Sequence, residues 1–271
     1  VERSRGLGDV YKRQIFISYP SIDPIAISIG PLDIRWYGLA YLSGFICAIF
    51  LAKRNSQRPW SPINKSKVED LIAYGVMGVI LGGRIGYMLF YSADRWMADP
   101  TLLLRIWEGG MSFHGGLLGV TAVIFLYSRA NKIKFLSLAD FVAPLVPAGL
   151  FFGRLGNFVN QELYGRATDV SWAMIFPADP LRLPRHPSQL YEAFLEGILL
   201  FIIVHIFARR PRSSGQVAGI FLVFYGFFRF LVEFVRQPDA QFLNKQALLP
   251  MFDWMTRGQL LCIPMILLGL W

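Results

Sequence analysis

The sequence predicts an all-α, polytopic membrane protein with seven transmembrane helices. Of the 271 residues, 54% are hydrophobic and only 17% are charged, which is more apolar and less charged than an average soluble domain. A helix needs about 20 residues to cross a bilayer, and windows of that length find seven apolar blocks. These blocks cover residues 36–52, 71–91, 113–127, 141–158, 190–208, 217–234 and 259–271.

The charged residues predict the orientation of these helices. The net charge is +9, but the basic residues lie in alternate loops and not in one stripe, which argues against nucleic-acid binding. Loops after the first, third and fifth blocks carry Lys53, Arg54, Arg58, Lys65 and Lys67; Arg129, Lys132 and Lys134; and Arg209, Arg210 and Arg212. Because cytoplasmic loops carry an excess of Lys and Arg, we expect the N-terminus outside and the C-terminus in the cytoplasm.

The two ends of the chain fit this pattern less well. Residues 1–14 include Arg3, Arg5, Lys12 and Arg13 and have no apolar period, so we expect a non-native or disordered leader followed by one transmembrane domain, 15–271. No apolar core with a cleavage site follows the leader, which argues against a signal peptide. The last block has about 13 residues where a crossing needs about 20, and we expect it to be truncated.

Polar groups in or beside the apolar blocks are the candidate functional residues, because ionisable groups at membrane depth are rare and mostly functional. Tyr37, in the segment RWYG (35–38), is either an interfacial aromatic residue or a donor to a lipid headgroup. The segment GGRIGY (82–87) combines glycines, which suit a close helix crossing, with a costly Arg84. We expect a carboxylate, a carbonyl or a lipid phosphate to contact Arg84.

His114 lies at the start of the third block, within GGMSFHGGLLG (109–119). The flanking glycines open backbone space for a substrate, and an imidazole titrates near neutral pH. We therefore favour a functional His114 over a purely structural one.

The fourth block ends on GRLGNFVNQELYG (153–165), which is the most polar run at membrane depth. Helical spacing predicts that Arg154, Asn157 and Gln161 share one face. The same run adds Asn160, Glu162 and Gly165. A buried network that ties helices together is the alternative reading, and the two readings are compatible.

The sixth block carries a polar stripe, because Tyr225, Arg229, Glu233 and Arg236 follow helical spacing. Arg229 and Glu233 can pair along the helix, and an arginine with spare donors can hold a phosphate bidentately. Arginines at 84, 154 and 229 have few apparent acidic partners, which predicts an anionic ligand. The most abundant anion in a bilayer is a phospholipid headgroup.

These segments together resemble the prolipoprotein diacylglyceryl transferase family. The most specific match is GRxGNFxNxExxG at 153–165; further matches lie at 35–38, 82–87, 114–116 and 225–239, so that the resemblance covers the chain from about residue 15. It implies a bacterial inner-membrane enzyme with a periplasmic N-terminus and without a metal or organic cofactor. The implied reaction moves the diacylglyceryl group of phosphatidylglycerol to the lipobox cysteine of a prolipoprotein signal peptide, forms a thioether and releases glycerol phosphate, before signal-peptide cleavage.

The resemblance also implies roles for individual residues. Arg154 and Arg229 would be essential, supported by Tyr37, His114, Asn157, Glu162, Gly165, Tyr225 and Glu233; from the motifs we add Arg84 and Asn160 to the expected substrate-binding set. His114 is the candidate base for a thiol whose free pKa is about 8.5. The two essential arginines would stabilise charge on the departing phosphate. A cationic field that activates the thiol without a base stays open as an alternative.

Other classes of membrane protein fit the sequence less well. A transporter with an arginine-lined anion pathway commonly shows inverted repeats, and this chain has an odd number of blocks and no internal similarity. A structural scaffold explains the glycines but not the arginines, and a metal-dependent lipid enzyme would need clustered aspartates. Residues 160–189 are long enough for a small periplasmic head segment where a signal peptide could dock.

Overall fold

The structure, a computed structural model, describes residues 16–30, 32–237 and 255–271. The predicted leader 1–14 lies outside the described residues, as do Pro238 and Asp239 at the end of the 225–239 motif. The described residues form two compact units. Unit 1 comprises residues 16–30, 32–45, 147–202, 222–237 and 255–271; unit 2 comprises residues 46–146 and 203–221.

The fold is mainly helical, as predicted. Its helices are α1 (Trp36–Asn55), α2 (Val68–Tyr91), α3 (Ala93–Ala98), α4 (Phe113–Ala130), α5 (Phe135–Val142), α6 (Val146–Val159), α7 (Ser188–Glu192), α8 (Leu200–Phe207), α9 (Gln216–Val232) and α10 (Arg257–Leu270). A 3-10 turn, Ala143–Leu145, joins α5 to α6, and a π-helical segment, Ala193–Leu199, joins α7 to α8. Both pairs therefore run as continuous helical segments.

Within the described residues, five helical segments are long and apolar enough to cross a membrane: Trp36–Asn55, Lys65–Tyr91, Phe113–Ala130, Phe135–Val159 and Ser188–Phe207. They coincide with the first five predicted blocks. Large apolar side chains such as Phe50, Phe90 and Leu126 are exposed on them, as expected where lipid replaces water. The helices at the sixth and seventh blocks, α9 and α10, are apolar but shorter. The chain is a multi-pass membrane protein.

Five short strands in the described part of the chain correct the all-α prediction. They are β1 (Ile17–Ser18), β2 (Ile25–Ile29), β3 (Leu32–Arg35), β4 (Met174–Ile175) and β5 (Pro184–Arg185). β2 and β3 pair antiparallel with Ile27 opposite Ile34, while β1 pairs parallel to β4 and β4 antiparallel to β5. The missed signal is the alternation of IAISI before Gly30, whose φ of 59° allows the turn.

In unit 2, α2 and α4 cross with their backbones in close contact at glycine residues. A Cβ added to Gly86 would lie 2.7 Å from the Cα of Gly115, and one added to Gly78 would lie 2.9 Å from the carbonyl oxygen of Gly119. Only residues without a side chain allow two helix backbones to approach so closely. The predicted close crossing at 82–87 is therefore present.

In unit 1, residues 160–189 form an ordered segment beyond the end of α6. Asp179 and Arg185 form a buried, two-contact ion pair there, with Nε to Oδ2 at 2.5 Å and Nη2 to Oδ1 at 3.1 Å. The Tyr19 hydroxyl donates to the carbonyl oxygens of Phe158 and Val159 in the last turn of α6, and the Phe158 carbonyl also accepts from the N–H of Gln161 at 3.0 Å. These contacts fix the chain that follows the polar run of α6.

Candidate functional site

Arg154 lies on α6 and faces two carboxylates of the helical segment 188–207. Its Nε is 2.5 Å from Oε2 of Glu192, and its Nη2 is 3.6 Å from Oε2 of Glu196. The side chains of Glu192 and Glu196 are 1% and 0% exposed. Arg236 also approaches Glu192, with Nε 3.6 Å from Oε1. Glu192 thus lies between two guanidinium groups.

Arg229 pairs with Glu233 along α9 and its C-terminal extension, as the spacing predicted. The Nη2 of Arg229 is 2.8 Å from Oε2 of Glu233, and Oε1 of Glu233 accepts from the hydroxyl of Thr256 at 3.0 Å. Thr256 is the N-cap of α10, and a Cβ on Gly258 would lie 2.6 Å from the Glu233 carboxylate. The glycine lets the start of α10 approach this anion, which the helix dipole favours.

The expectation of few acidic partners is wrong for unit 1. Arg154, Arg229 and Arg236 face Glu192, Glu196 and Glu233, so the cationic and anionic side chains are equal in number. Sequence reasoning missed Glu192 and Glu196, although two acidic residues inside the predicted fifth block are as unusual as the arginines. Because the charges balance, net positive charge gives no reason to predict an anionic ligand in this cluster.

What remains in this cluster is unused hydrogen-bonding capacity. Nη1 of Arg229 is buried and has no hydrogen-bond partner among the described residues. Leaving such a charged donor unsatisfied is costly, and an oxyanion in contact with it would remove that cost. Tyr225 lies within electrostatic range of Arg154, Arg229 and Glu196, so the predicted stripe of α9 faces the same cluster. The adjoining π-helical segment is of a kind that recurs at functional sites.

A second polar group of unit 1 brings together four predicted residues. Glu162 accepts from the side-chain amides of Asn157, at 3.4 Å, and Asn160, at 3.1 Å. The Tyr37 ring lies against Gly156, where an added Cβ would be 3.1 Å from the ring, and its hydroxyl is near Asn157 and Glu162. This group offers amide, carboxylate and phenol side chains, which suit a neutral polyol such as glycerol.

Gln161 does not belong to the face that the sequence predicted. α6 ends at Val159, and Gln161 adopts a left-handed φ of 56°. Its side-chain oxygen accepts from the backbone N–H of Ala178 at 2.9 Å. Arg154 and Asn157 do lie on α6, but they contact different carboxylates.

Gly165 is explained by backbone packing. Its N–H donates to the carbonyl of His186 at 2.8 Å, and an added Cβ would lie 2.7 Å from the Cβ of His186 and 2.8 Å from that carbonyl oxygen. It also forms a bridge with Arg236. The glycine allows the end of the segment 153–165 to pack against the chain that follows α9.

Arg84, in unit 2, is bonded entirely to backbone carbonyls. Nε donates to Leu103, Nη1 to Gly109 and Gly110, and Nη2 to Leu102 and Arg105. A guanidinium has five N–H donors, so none is left for a phosphate. Of the three partners that the sequence allowed, the structure shows the carbonyl. This geometry favours a structural role, and Arg84 is left out of the site proposed below.

His114, also in unit 2, is exposed in the first turn of α4. Ser112 caps this helix by accepting from the N–H of Gly115 at 3.2 Å. The imidazole meets the ring of Phe113 edge-on, with 5.6 Å between centroids. The exposure is compatible with a base, and that role stays a prediction.

Comparison with known proteins adds an independent finding. Residues 24–271 match the family described as prolipoprotein diacylglyceryl transferase. A phosphatidylglycerol–prolipoprotein diacylglyceryl transferase of Vibrio vulnificus (strain YJ016) is 55% identical over 258 residues, covering 95% of this chain and 92% of the relative. The proteins of the same name from Vibrio campbellii and Nitratidesulfovibrio vulgaris (strain DP4) are 54% and 52% identical, covering 95% and 94% of this chain and 92% and 95% of the relatives.

Proposed function

The chain belongs to the prolipoprotein diacylglyceryl transferase family, and on that basis we propose that it transfers the diacylglyceryl group of phosphatidylglycerol to the cysteine thiol of prolipoproteins. The family resemblance predicted from the motifs is confirmed. In the reaction, a carbon–sulfur bond forms, the glycerol carbon–oxygen bond to the phosphate breaks, and glycerol phosphate leaves. The product is a thioether at the lipobox cysteine, and the step precedes signal-peptide cleavage.

The observation that carries the site is the unsatisfied Nη1 of Arg229. Glu233 holds the guanidinium through Nη2 at 2.8 Å, which fixes its orientation and leaves Nη1 for a ligand. Negative charge grows on the phosphate as the carbon–oxygen bond breaks, and a preorganised donor in a dry site stabilises that charge most effectively. Arg229 is therefore the phosphate clamp of the proposal.

Arg154 is the second cation of the proposed site. Glu192 and Glu196 neutralise and orient it, so it adds a positioned dipole to the site and little net charge. Tyr225 lies within range of the same groups and supplies a hydroxyl. Glu192 and Glu196 are positioning residues in this proposal, because they act through Arg154.

The group formed by Tyr37, Asn157, Asn160 and Glu162 binds the glycerol part of the headgroup. Its members already contact one another, so little conformational entropy is lost on binding. Gly165 contributes through the backbone packing that holds this segment in place.

His114 is the proposed base that takes the thiol proton. A thiol with a free pKa of about 8.5 is mostly protonated at neutral pH, and imidazole has a suitable pKa for its removal. Near-normal turnover of His114→Gln on a lipobox peptide would remove this role and leave thiol activation to the arginine field.

The proposed topology has seven crossings of the bacterial inner membrane within one domain, 15–271. α9 and α10 are the sixth and seventh crossings, the N-terminus is periplasmic, and the basic loops are cytoplasmic. Residues 160–189 form the periplasmic head segment where the signal peptide docks. A reporter fused after Arg210 should be active only in the cytoplasm, and activity outside would contradict this orientation.

The function is tested by one transfer assay. Purified protein is incubated with phosphatidylglycerol and a lipobox peptide that carries either Cys or Ser. We expect the diacylglyceryl mass gain on the Cys peptide alone, together with release of glycerol phosphate. Equal labelling of the Ser peptide, or mass gain without released glycerol phosphate, would contradict the proposed reaction.

A further inference from the structure

Unit 2 contains a cavity of about 110 Å³ that the transfer reaction does not use. It lies where membrane helices end, between the last residue of α1 and its following loop, the first turns of α5, and the loop that joins α8 to α9. Arg58, Arg210 and Arg212 line it, and Asp140 is the one acidic residue among its lining residues.

The charge of this cavity is not balanced by its own residues. The Asp140 carboxylate accepts from the backbone N–H groups of Gly215, at 2.7 Å, and Ala218, at 2.8 Å. Burial, together with the nearby Arg54, lowers the pKa of Arg58. Three guanidinium groups therefore line the cavity with one carboxylate, which backbone N–H groups already contact.

Two of these arginines are held and one is not. Arg58 donates to the carbonyl of Ala208 at 2.8 Å, and Arg212 donates to that of Phe207 at 3.0 Å while lying over its ring. Arg210 has neither a hydrogen-bond nor an ion-pair partner in the part of the chain that the structure describes. The held arginines form a fixed cationic wall, and Arg210 is available to close on a ligand.

Asn55 adds an amide group to this wall, because it lines the cavity and is only 5% exposed. An amide donor beside guanidinium groups is the combination that recognises an oxyanion.

We propose that this cavity binds the phosphate group of an anionic ligand, either a phospholipid headgroup or a free phosphate ester. The volume is large enough for a phosphate group, and the acyl chains of a lipid would lie outside against the apolar helices. Trp60, which also lines the cavity and is exposed, is typical of the membrane interface. Basic pockets between membrane helices bind lipid headgroups of this kind. The site uses none of the residues of the proposed transfer site.

The test measures binding to the full-length protein in detergent by native mass spectrometry. One arm titrates dioleoylphosphatidic acid, which lacks the glycerol headgroup of the proposed substrate, and the other titrates glycerol 3-phosphate. The cavity variant is Arg58→Gln/Arg210→Gln/Arg212→Gln. The matched control, Arg129→Gln/Lys132→Gln/Lys134→Gln, removes the same charge from another basic loop of unit 2. Arg210→Gln alone guards against misfolding, since this side chain supports no described contact.

Each arginine near a headgroup contributes about fivefold in affinity. We expect affinity to fall about fivefold for Arg210→Gln and roughly a hundredfold for the triple cavity variant, with a change below about twofold for the control. Loss confined to the phosphatidic acid arm identifies a lipid headgroup; loss in both arms identifies a free phosphate ester. Equal weakening of the cavity and control variants, or no saturable binding in either arm, would overturn the proposal.

Discussion

Arg84 and Arg229 both lie in apolar helices, but the groups around them differ in kind. In unit 2, carbonyls of residues 102–110 accept every N–H of Arg84. In unit 1, a carboxylate orients Arg229 through Nη2 at 2.8 Å, and Nη1 has no partner among the described residues. Burial of an arginine therefore does not by itself distinguish its role. Partners that satisfy every N–H group indicate a structural role, whereas a buried N–H group without a partner indicates a ligand site.

Among the substitutions that test this comparison, Arg154→Gln is expected to have the largest effect. Arg154→Gln should lower transfer by at least about a hundredfold. It should also destabilise the protein by about 3–5 kcal/mol, because Glu196 would remain buried without its ion-pair partner and Glu192 would keep only Arg236. The measurements are kcat/KM with a lipobox peptide and thermal unfolding in the same detergent.

A second substitution separates the two effects of Arg154→Gln. Adding Glu196→Gln removes one stranded carboxylate and should restore part of the stability while transfer stays low. Recovery of transfer together with stability would mean that Arg154 acts only through folding, and its catalytic role would be lost.

Arg84→Gln should destabilise the protein without changing the transfer chemistry. Most of the five carbonyls that Arg84 satisfies would lose their partner, at a cost of at least about 3 kcal/mol. Activity per folded molecule should stay within about twofold of the parent. A large fall in kcat/KM at temperatures where the variant is fully folded would return Arg84 to the substrate-binding set.

Gly165→Ala should have a moderate effect on unit 1. The added methyl group would overlap the carbonyl and Cβ of His186, and overpacking of this kind costs about 1–3 kcal/mol. Gly153→Ala is the matched control, because a Cβ on Gly153 meets nothing within 4 Å. Thermal unfolding of the two variants measures the difference; equal melting temperatures would contradict the close packing at Gly165.

A pH-dependent effect is expected at the ion pair between Asp179 and Arg185, outside the membrane helices. The hydrogen-bonded Arg185 guanidinium holds the pKa of Asp179 below its usual range. A carboxyl with a lowered pKa contributes stability above its unfolded pKa of about 3.9, and this contribution is lost as the pH falls through the folded value.

Asp179→Asn should therefore cost about 3–5 kcal/mol at neutral pH, because Arg185 would stay buried without its ion-pair partner. The backbone N–H groups of Leu181 and Leu183 bond to different oxygens of Asp179, so only one of them would keep its acceptor. The variant should show a flatter stability profile below about pH 4. Hydrogen exchange of residues 174–185 between pH 2 and 7 measures this. Parallel acid profiles for parent and variant would show that Asp179 does not set the acid sensitivity.

The helices were predictable because apolar blocks need only local sequence. The first block, predicted at 36–52, ends as helix at Asn55. β1 was not predictable, since its partner β4 lies more than 150 residues away and a two-residue strand has no period. The contacts between Arg84 and five backbone carbonyls could not be predicted either, because every residue has a backbone carbonyl and no side chain marks the ones that lie close to Arg84. Glu192 and Glu196 could have been found, since both interrupt an apolar block.

The central claim is that Arg229 offers an oriented pair of N–H donors to a phosphate, and Arg229→Lys tests it most directly. Lysine keeps the charge and the pairing with Glu233 but loses the planar fork. The measurement is kcat/KM for diacylglyceryl transfer from phosphatidylglycerol to a lipobox peptide, with Arg129→Lys as the control. We predict a loss of at least about a hundredfold with an unchanged melting temperature. Full activity of Arg229→Lys would contradict the claim.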